Sequence, residues 1–248
     1  MKKFGLIGHP IAHSLSPALF KAAYDGKYAY DLIEGEDFET SYRRFIEEYD
    51  AINVTAPFKE AAFAKADILS EECASTGATN LLVKTPEGIK AYNSDFLGVR
   101  MWLSEVTEDL KGVKILIVGL GGAGKAAAAA AESLGMDVIR MNRTVRDSQT
   151  HPLDDFRKCF RKANIIIYNI PAAIPELKEL TDSDFNKDKP KLILEANYKD
   201  PSLRETMESF GSKAVYTGGE TWLLYQAMTG YKILTGEKPD LTKMSDVL

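Results

Sequence analysis

Apolar positions along this chain fall into short runs separated by amphipathic stretches, and the two kinds of segment alternate from the start. Phe4-Gly5-Leu6-Ile7-Gly8 reads as a strand, with a helix following from Pro17. Tyr28–Ile33 reads as a second strand and Asp37–Tyr49 as a helix with its charges on one face. Ala51-Ile52-Asn53-Val54-Thr55 predicts a third strand, and Lys59–Leu69 a further helix. Leu81–Val83 and Ile89–Tyr92 flank the turn Pro86-Glu87-Gly88 and predict a hairpin. Single strands separated by helices imply a mainly parallel sheet within an α/β layer.

The rhythm restarts at Val113. Lys114-Ile115-Leu116-Ile117-Val118 has almost no alternation, as expected of a strand buried on both faces. Glycines follow, then an alanine-rich helix over Ala126–Leu134, stopped by Gly135. Asp137–Met141, Asn164–Tyr168 and Leu192–Glu195 are further buried strands, and a closing helix runs from Glu220 to Leu234. The pattern therefore predicts two α/β units, divided near Trp102.

Composition narrows the function classes. The chain has 248 residues, of which 45% are hydrophobic and 27% charged, which excludes a disordered or fibrous protein. A net charge of -5 without a basic run argues against a nucleic-acid surface. No apolar stretch approaches the roughly 18 residues of a membrane helix. The run Phe4–Ile7 is too short for a signal-peptide core, so a cytoplasmic protein is expected. With two cysteines and three histidines, neither a disulfide framework nor a metal site is expected.

Gly119-Leu120-Gly121-Gly122-Ala123-Gly124 has the spacing of a dinucleotide-binding loop and stands where one must, after a buried strand and at a helix start. The glycines allow backbone N–H groups to approach a pyrophosphate at the helix N-terminus. Where an NAD site usually carries an acidic residue, this chain has Asn142-Arg143-Thr144 with Arg146 close by. Nothing there repels a 2′-phosphate, and a guanidinium can bind one, so NADP is expected over NAD.

Polar residues gather at the strand ends of the first unit. In His13-Ser14-Leu15-Ser16-Pro17, Ser16 reads as a helix N-cap with Pro17 at the first helical position, a place where two hydroxyls can receive a carboxylate. Thr55 and Lys59 follow one strand, Asn80 follows Gly77-Ala78-Thr79, and Asn93-Ser94-Asp95 ends another strand. Each alone is an ordinary turn residue. Their repetition at strand ends points to one shared cleft, where ligands collect in open α/β sheets.

Together these segments resemble the shikimate dehydrogenase family. The likeness rests on Gly8-His9-Pro10, Ser14-Leu15-Ser16-Pro17, Asn53-Val54-Thr55-x-Pro57-x-Lys59, Gly77-Ala78-Thr79-Asn80, Asn93-Ser94-Asp95-x-x-Gly98, the glycine loop, Asn142-Arg143-Thr144 and Gln226-Ala227. It implies an N-terminal α/β substrate domain, residues 1–102 with 220–248, and a Rossmann-type NADP-binding domain, residues 103–219. The implied activity is NADPH-dependent, reversible reduction of 3-dehydroshikimate to shikimate, on the route to chorismate and the aromatic amino acids.

The resemblance also assigns roles. Lys59 and Asp95 are the implied catalytic pair, and both touch the substrate. Ser14 and Ser16 hold its carboxylate, with Tyr198 near that end, while Thr55, Asn80 and Gln226 bind ring hydroxyls. Gly119, Gly121, Gly122, Ala123, Gly124, Asn142, Arg143, Thr144, Arg146 and Gly219 face the cofactor. No metal is implied, and the chain is expected as a monomer or homodimer.

The chain departs from the family pattern at Asn169–Ile174, near the expected nicotinamide ribose, at Glu195, where the family has Asp, and at Trp222, where it has Met. Two rival functions are an NAD-using quinate/shikimate dehydrogenase and a non-catalytic ligand-binding homologue. The first calls for a carboxylate where Asn142-Arg143-Thr144 stands, and the second for loss of Lys59 or Asp95.

Overall fold

The first strand, β1 (Lys3–Gly8), is buried on both faces from Phe4 onward: Phe4 and Ile7 point to opposite faces and both are buried. The structure, a computed structural model, describes residues 2–248. Phe4 joins an aromatic cluster, 5.4 Å from the Phe20 ring and 5.5 Å from that of Tyr28. Ile7 lies in the other core, with Phe45, Ile52, Phe58 and Leu82. From β1 the chain runs through α1 (Ser16–Ala23), β2 (Ala29–Glu34), α2 (Phe38–Glu48), β3 (Ala51–Val54), α3 (Lys59–Ala64), β4 (Ile68–Leu69), α4 (Glu71–Thr76), β5 (Leu81–Thr85) and β6 (Gly88–Tyr92) into α5 (Ser94–Val106). The sheet order is β2-β1-β3-β5-β6-β4. β1 pairs parallel with β2 and β3, and β4 parallel with β6, while the hairpin strand β5 runs antiparallel to both its neighbours.

The second sheet is wholly parallel. It is built from β7 (Lys114–Val118), α6 (Gly122–Ser133), β8 (Asp137–Met141), β9 (Thr150–His151), α7 (Phe156–Lys162), β10 (Ile165–Tyr168), β11 (Lys191–Glu195), α8 (Arg204–Glu208) and β12 (Ala214–Thr217). Its order, β12-β11-β10-β7-β8-β9, is that of a dinucleotide-binding sheet, with the order of strand addition reversing between β7 and β10. Ile115–Val118 are fully buried, in keeping with the missing alternation. Ala126, Ala127, Ala130 and Ala131 of α6 are buried too. α9 (Gly219–Thr235) and α10 (Leu241–Ser245) close the chain. Compact units comprise residues up to Gly98 with Leu224–Leu248, and Val99–Leu223, so the divisions fall within α5 and α9.

Three expectations need correction. The helix from Lys59 ends at Ala64, because Ile68 and Leu69 leave it to pair with Lys90 and Ala91 of β6. The Asp67 carboxylate fixes that exit by accepting from the Ile89 N–H at 2.8 Å. Ser16 is not an N-cap: it is the first residue of α1, the cap position is Leu15, and Pro17 comes second. The Ser14 hydroxyl instead accepts from the Ser16 N–H at 3.2 Å, so Ser14 organises the turn. Finally, α6 begins at Gly122 rather than Ala126, so the last glycines of the motif already belong to the helix's first turn.

Candidate active site

In the first unit, antiparallel pairing of β5 with β3 brings the start of β5 to the same sheet edge as the ends of β1 and β3. Thr55, Asn80 and Ser94 therefore share that edge. The Thr55 N–H donates to the Ile7 carbonyl at 2.9 Å and the Val54 N–H to that of Asn80 at 2.8 Å. Gly8 is needed here, since a Cβ on it would collide with the methyl group of Thr55.

Lys59 opens α3 and Asp95 lies in the first turn of α5, and the Lys59 Nζ donates to the Asp95 Oδ2. Their side chains are 23% and 12% exposed, so the pair is shielded yet reachable. Buried Phe58 anchors the start of α3. Asn93 caps α5, its Oδ1 accepting from the Phe96 N–H at 3.2 Å. Its amide nitrogen donates to the Ala78 carbonyl at 3.0 Å, tying that cap to the turn before Asn80.

Asn80 is the hub. Its Oδ1 accepts from the Ser94 N–H at 2.7 Å, and its Nδ2 donates to the Ser94 hydroxyl at 3.0 Å and to Gln226 Oε1 at 3.4 Å. Gln226, 146 positions along the chain, arrives because two glycines let α9 approach closely. A Cβ on Gly98 would stand 2.7 Å from the Gln226 backbone nitrogen, and one on Gly230 would stand 3.2 Å from Ser94 Cβ. Ser16 sits beside a tyrosine pair: the Tyr231 hydroxyl donates to its carbonyl at 3.1 Å, and the Tyr30 hydroxyl donates to Asn53 Oδ1 at 2.8 Å. Burial, then the neighbouring Tyr231, holds the Tyr30 hydroxyl well above its ordinary pKa, so it stays a protonated donor. The sequence reading missed Ser94, Tyr30 and Tyr231. Ser94 alone had a signal, standing within the quoted Asn-Ser-Asp element.

The second unit holds the glycine loop at the point where its sheet reverses. Gly119 has φ +87°, a conformation only glycine adopts without strain. A Cβ on Gly124 would collide with the Gly119 carbonyl, so the helix start folds tightly onto the strand end. A Cβ on Gly121, by contrast, would meet nothing within 4 Å. The loop thus presents bare backbone on an open side, and first-turn N–H groups of α6 lack helical partners by construction. That is the cradle a pyrophosphate requires, so these residues fit a dinucleotide.

Asn142 braces the cradle: its Oδ1 accepts from the Leu120 N–H at 3.3 Å and its Nδ2 donates to the Thr144 carbonyl at 3.1 Å. Arg143, Thr144 and Arg146 are exposed beyond the end of β8. Asp147 is held below its usual pKa by the Thr150 side chain and the Gln149 and Thr150 N–H groups, so its charge is committed locally. Tyr198 lies half-buried in the loop after β11, and burial pushes its hydroxyl pKa up. Gly219 starts α9 where a Cβ would stand 2.5 Å from the Ala196 carbonyl oxygen. Fully buried Glu195, noted in the sequence only as a departure from the family's Asp, is a second hub.

Comparison with known proteins identifies both units. Residues 6–82 match the shikimate dehydrogenase substrate binding domain, and residues 90–194 match the NAD binding domain of D-isomer specific 2-hydroxyacid dehydrogenases. A shikimate dehydrogenase (NADP+) of Thermotoga maritima is 30% identical over 93% of this chain and 92% of its own. One from Staphylococcus aureus is 31% identical over 98% and 96%. Among solved structures, the shikimate 5-dehydrogenase of Thermus thermophilus, in complex with NADP(H) and shikimate, has a TM-score of 0.82 at 26% identity, covering 100% of this chain and 98% of that one. With both units matched in order and near-full-length relatives at this identity, the chain belongs to the shikimate dehydrogenase family.

Proposed function

We propose that this protein catalyses the reversible, NADP-linked reduction of 3-dehydroshikimate to shikimate, working in the cytoplasm. The observation that carries the reading is the hydrogen-bonded Lys59–Asp95 pair at a sheet edge shared with Asn80 and Gln226. NADPH, when bound, supplies the hydride from its nicotinamide. The Lys59 ammonium stabilises charge developing on the ketone oxygen and delivers the proton that completes the alcohol. In the reverse direction neutral Lys59 takes that proton, and Asp95 orients the amine in both directions. Asn80 and Gln226, joined through an amide hydrogen bond, together offer donors and acceptors for ring hydroxyls, with Thr55 beside them. Ser14 and Ser16 receive the carboxylate at the start of α1, where first-turn N–H groups add favourable dipoles. Tyr198 serves the same carboxylate.

On the cofactor side, Gly119, Gly121, Gly122, Ala123 and Gly124 take the pyrophosphate, and Gly219 leaves room for the cofactor. Arg143 and Arg146 meet the 2′-phosphate with Thr144, held in place by Asn142. The test is turnover of Lys59→Ala and Asp95→Asn. Loss of a general acid–base group lowers kcat by roughly 10²–10⁴-fold. NADPH affinity should stay within about twofold of wild type, since neither residue belongs to the glycine cradle. Near-normal kcat in Lys59→Ala removes this lysine from the reaction.

A further inference from the structure

The side chain of Glu195 is a fully buried carboxylate with four hydrogen bonds that the reaction above does not use. It stands at the last position of β11 and is 0% exposed. Its Oε1 accepts from the Ser202 N–H at 2.6 Å and from the Ser202 hydroxyl at 3.0 Å. Its Oε2 accepts from the Leu203 N–H at 3.1 Å and from the Tyr216 hydroxyl at 2.7 Å. All four partners are donors, so the carboxylate acts as an acceptor throughout.

The geometry of these bonds is a clasp. Glu195 precedes the loop Ala196–Pro201, and Ser202 and Leu203 follow it, so one carboxylate closes the segment from start to finish. Inside, Asn197 Oδ1 accepts from the Lys199 and Asp200 N–H groups at 3.3 and 3.4 Å, an Asx turn that shapes the tip. At the entrance, the Ala196 N–H donates to the Tyr168 carbonyl at 2.8 Å. Tyr198 is carried between these ties. Tyr216 links the clasp to β12, and the Arg204 guanidinium lies over the Tyr216 ring, 5.5 Å from its centroid.

We infer that Glu195 is a positioning residue for the reaction: its carboxylate closes the Ala196–Pro201 loop and thereby holds Tyr198 in the orientation that binds substrate. The inference rests on the proposed function, in which Tyr198 serves the substrate carboxylate. It also separates Glu195 from an ordinary core residue, whose loss would cost stability without singling out one ligand.

Glu195→Gln keeps the shape but turns one acceptor into an NH2 group facing donors. In the full-length enzyme we expect KM for shikimate to rise about tenfold, with kcat and KM for NADP within about twofold. Tyr198→Phe should raise the same KM, and the double variant should be no worse than the more affected single one, because Glu195 acts through Tyr198. Hydrogen exchange of the Ser202 and Leu203 amides should quicken in Glu195→Gln and stay unchanged in Tyr198→Phe. A fall in Tm with KM unchanged overturns the inference, as do fully additive effects or unaltered exchange at Ser202 and Leu203. Lack of shikimate turnover by the wild type would sink the functional reading instead, while the exchange experiment still decides whether the clasp exists.

Discussion

Gly98 links α5 to the segment of α9 that carries Gln226, and Gly98→Ala puts that contact to a quantitative test. A Cβ there would stand 2.7 Å from the Gln226 nitrogen, 3.0 Å from its Cα and 3.1 Å from its Cβ. An ordinary contact begins near 3.4 Å, so the backbone at Gln226 must retreat by 3.4 − 2.7 = 0.7 Å. Two effects oppose each other. Alanine is favoured over glycine inside a helix by about 1 kcal/mol. Overpacking against backbone costs about 1–3 kcal/mol, and the absence of any flexible side-chain end among the nearest atoms points to the upper figure. The expected net loss is about 2 kcal/mol, or a Tm lower by roughly 4–8 °C for a chain of this size. Displacing Gln226 should also weaken one substrate hydrogen bond, worth about 0.5–1.5 kcal/mol, or roughly 2–10-fold in KM for shikimate. Thermal melting and steady-state kinetics with each substrate varied in turn measure both. A variant that melts higher than wild type with an unchanged KM would refute the packing argument, because helix propensity would then be the only effect.

Other consequences can be checked in parallel. Gly121→Ala projects a methyl group into open space, so Tm should move by no more than about 2 °C, whereas NADP affinity should fall at least about tenfold as the methyl meets the pyrophosphate; equal affinity would place the cofactor elsewhere. Arg143→Ala should raise KM for NADP while leaving KM for NAD within about twofold, and equal losses for both cofactors would deny Arg143 a role at the 2′-phosphate. Burial holds Lys191 down to about 8, against a weaker upward pull from Asp184. A lysine whose folded-state pKa lies below its unfolded one costs stability at neutral pH, and the cost fades as pH rises from about 8 towards 10.5. Compared with Lys191→Met, the wild type should therefore gain up to about 3 kcal/mol between pH 7 and 10, and a stability gap constant over that range would contradict the assignment.

What the sequence disclosed depended on how local each feature is. The glycine loop was legible because its strand, turn and helix are contiguous, and the buried runs of β7, β10 and β11 lie within a few residues of their observed ends; β8 was also placed correctly, but it is not the buried strand expected, since only Met141 of it is buried. The two-residue strands β4 and β9 hold barely one repeat and left no periodic signal, and β12, with no fully buried residue, was not read either. β4 was absorbed into a helix because Ala61–Ala66 reads as helical, and only pairing with β6 draws Ile68 and Leu69 away. Ser16 looked like a cap because Pro17 follows it, yet the turn is made by the Ser14 hydroxyl. Lys59 and Asp95 were singled out from motifs 36 positions apart, and the fold brings them into hydrogen bond. Gln226 came from the resemblance alone, because its approach to Asn80 depends on the close contacts at Gly98 and Gly230. The Glu195 clasp had no sequence signal beyond an acidic residue that ends a buried strand and replaces the family's Asp, since Tyr216 reaches it from another strand altogether.

The most direct test of the central claim is a single absorbance assay of nicotinamide reduction by the purified protein, with shikimate or quinate as substrate and NADP or NAD as cofactor. The account expects rapid reduction with shikimate and NADP, and catalytic efficiency at least about tenfold lower in the other three combinations. Preference for NAD would contradict the reading of Asn142, Arg143 and Thr144, and preference for quinate would move the chain to a quinate-oxidising activity. Absence of turnover in all four, with NADPH still bound, would contradict the catalytic role given to Lys59 and Asp95.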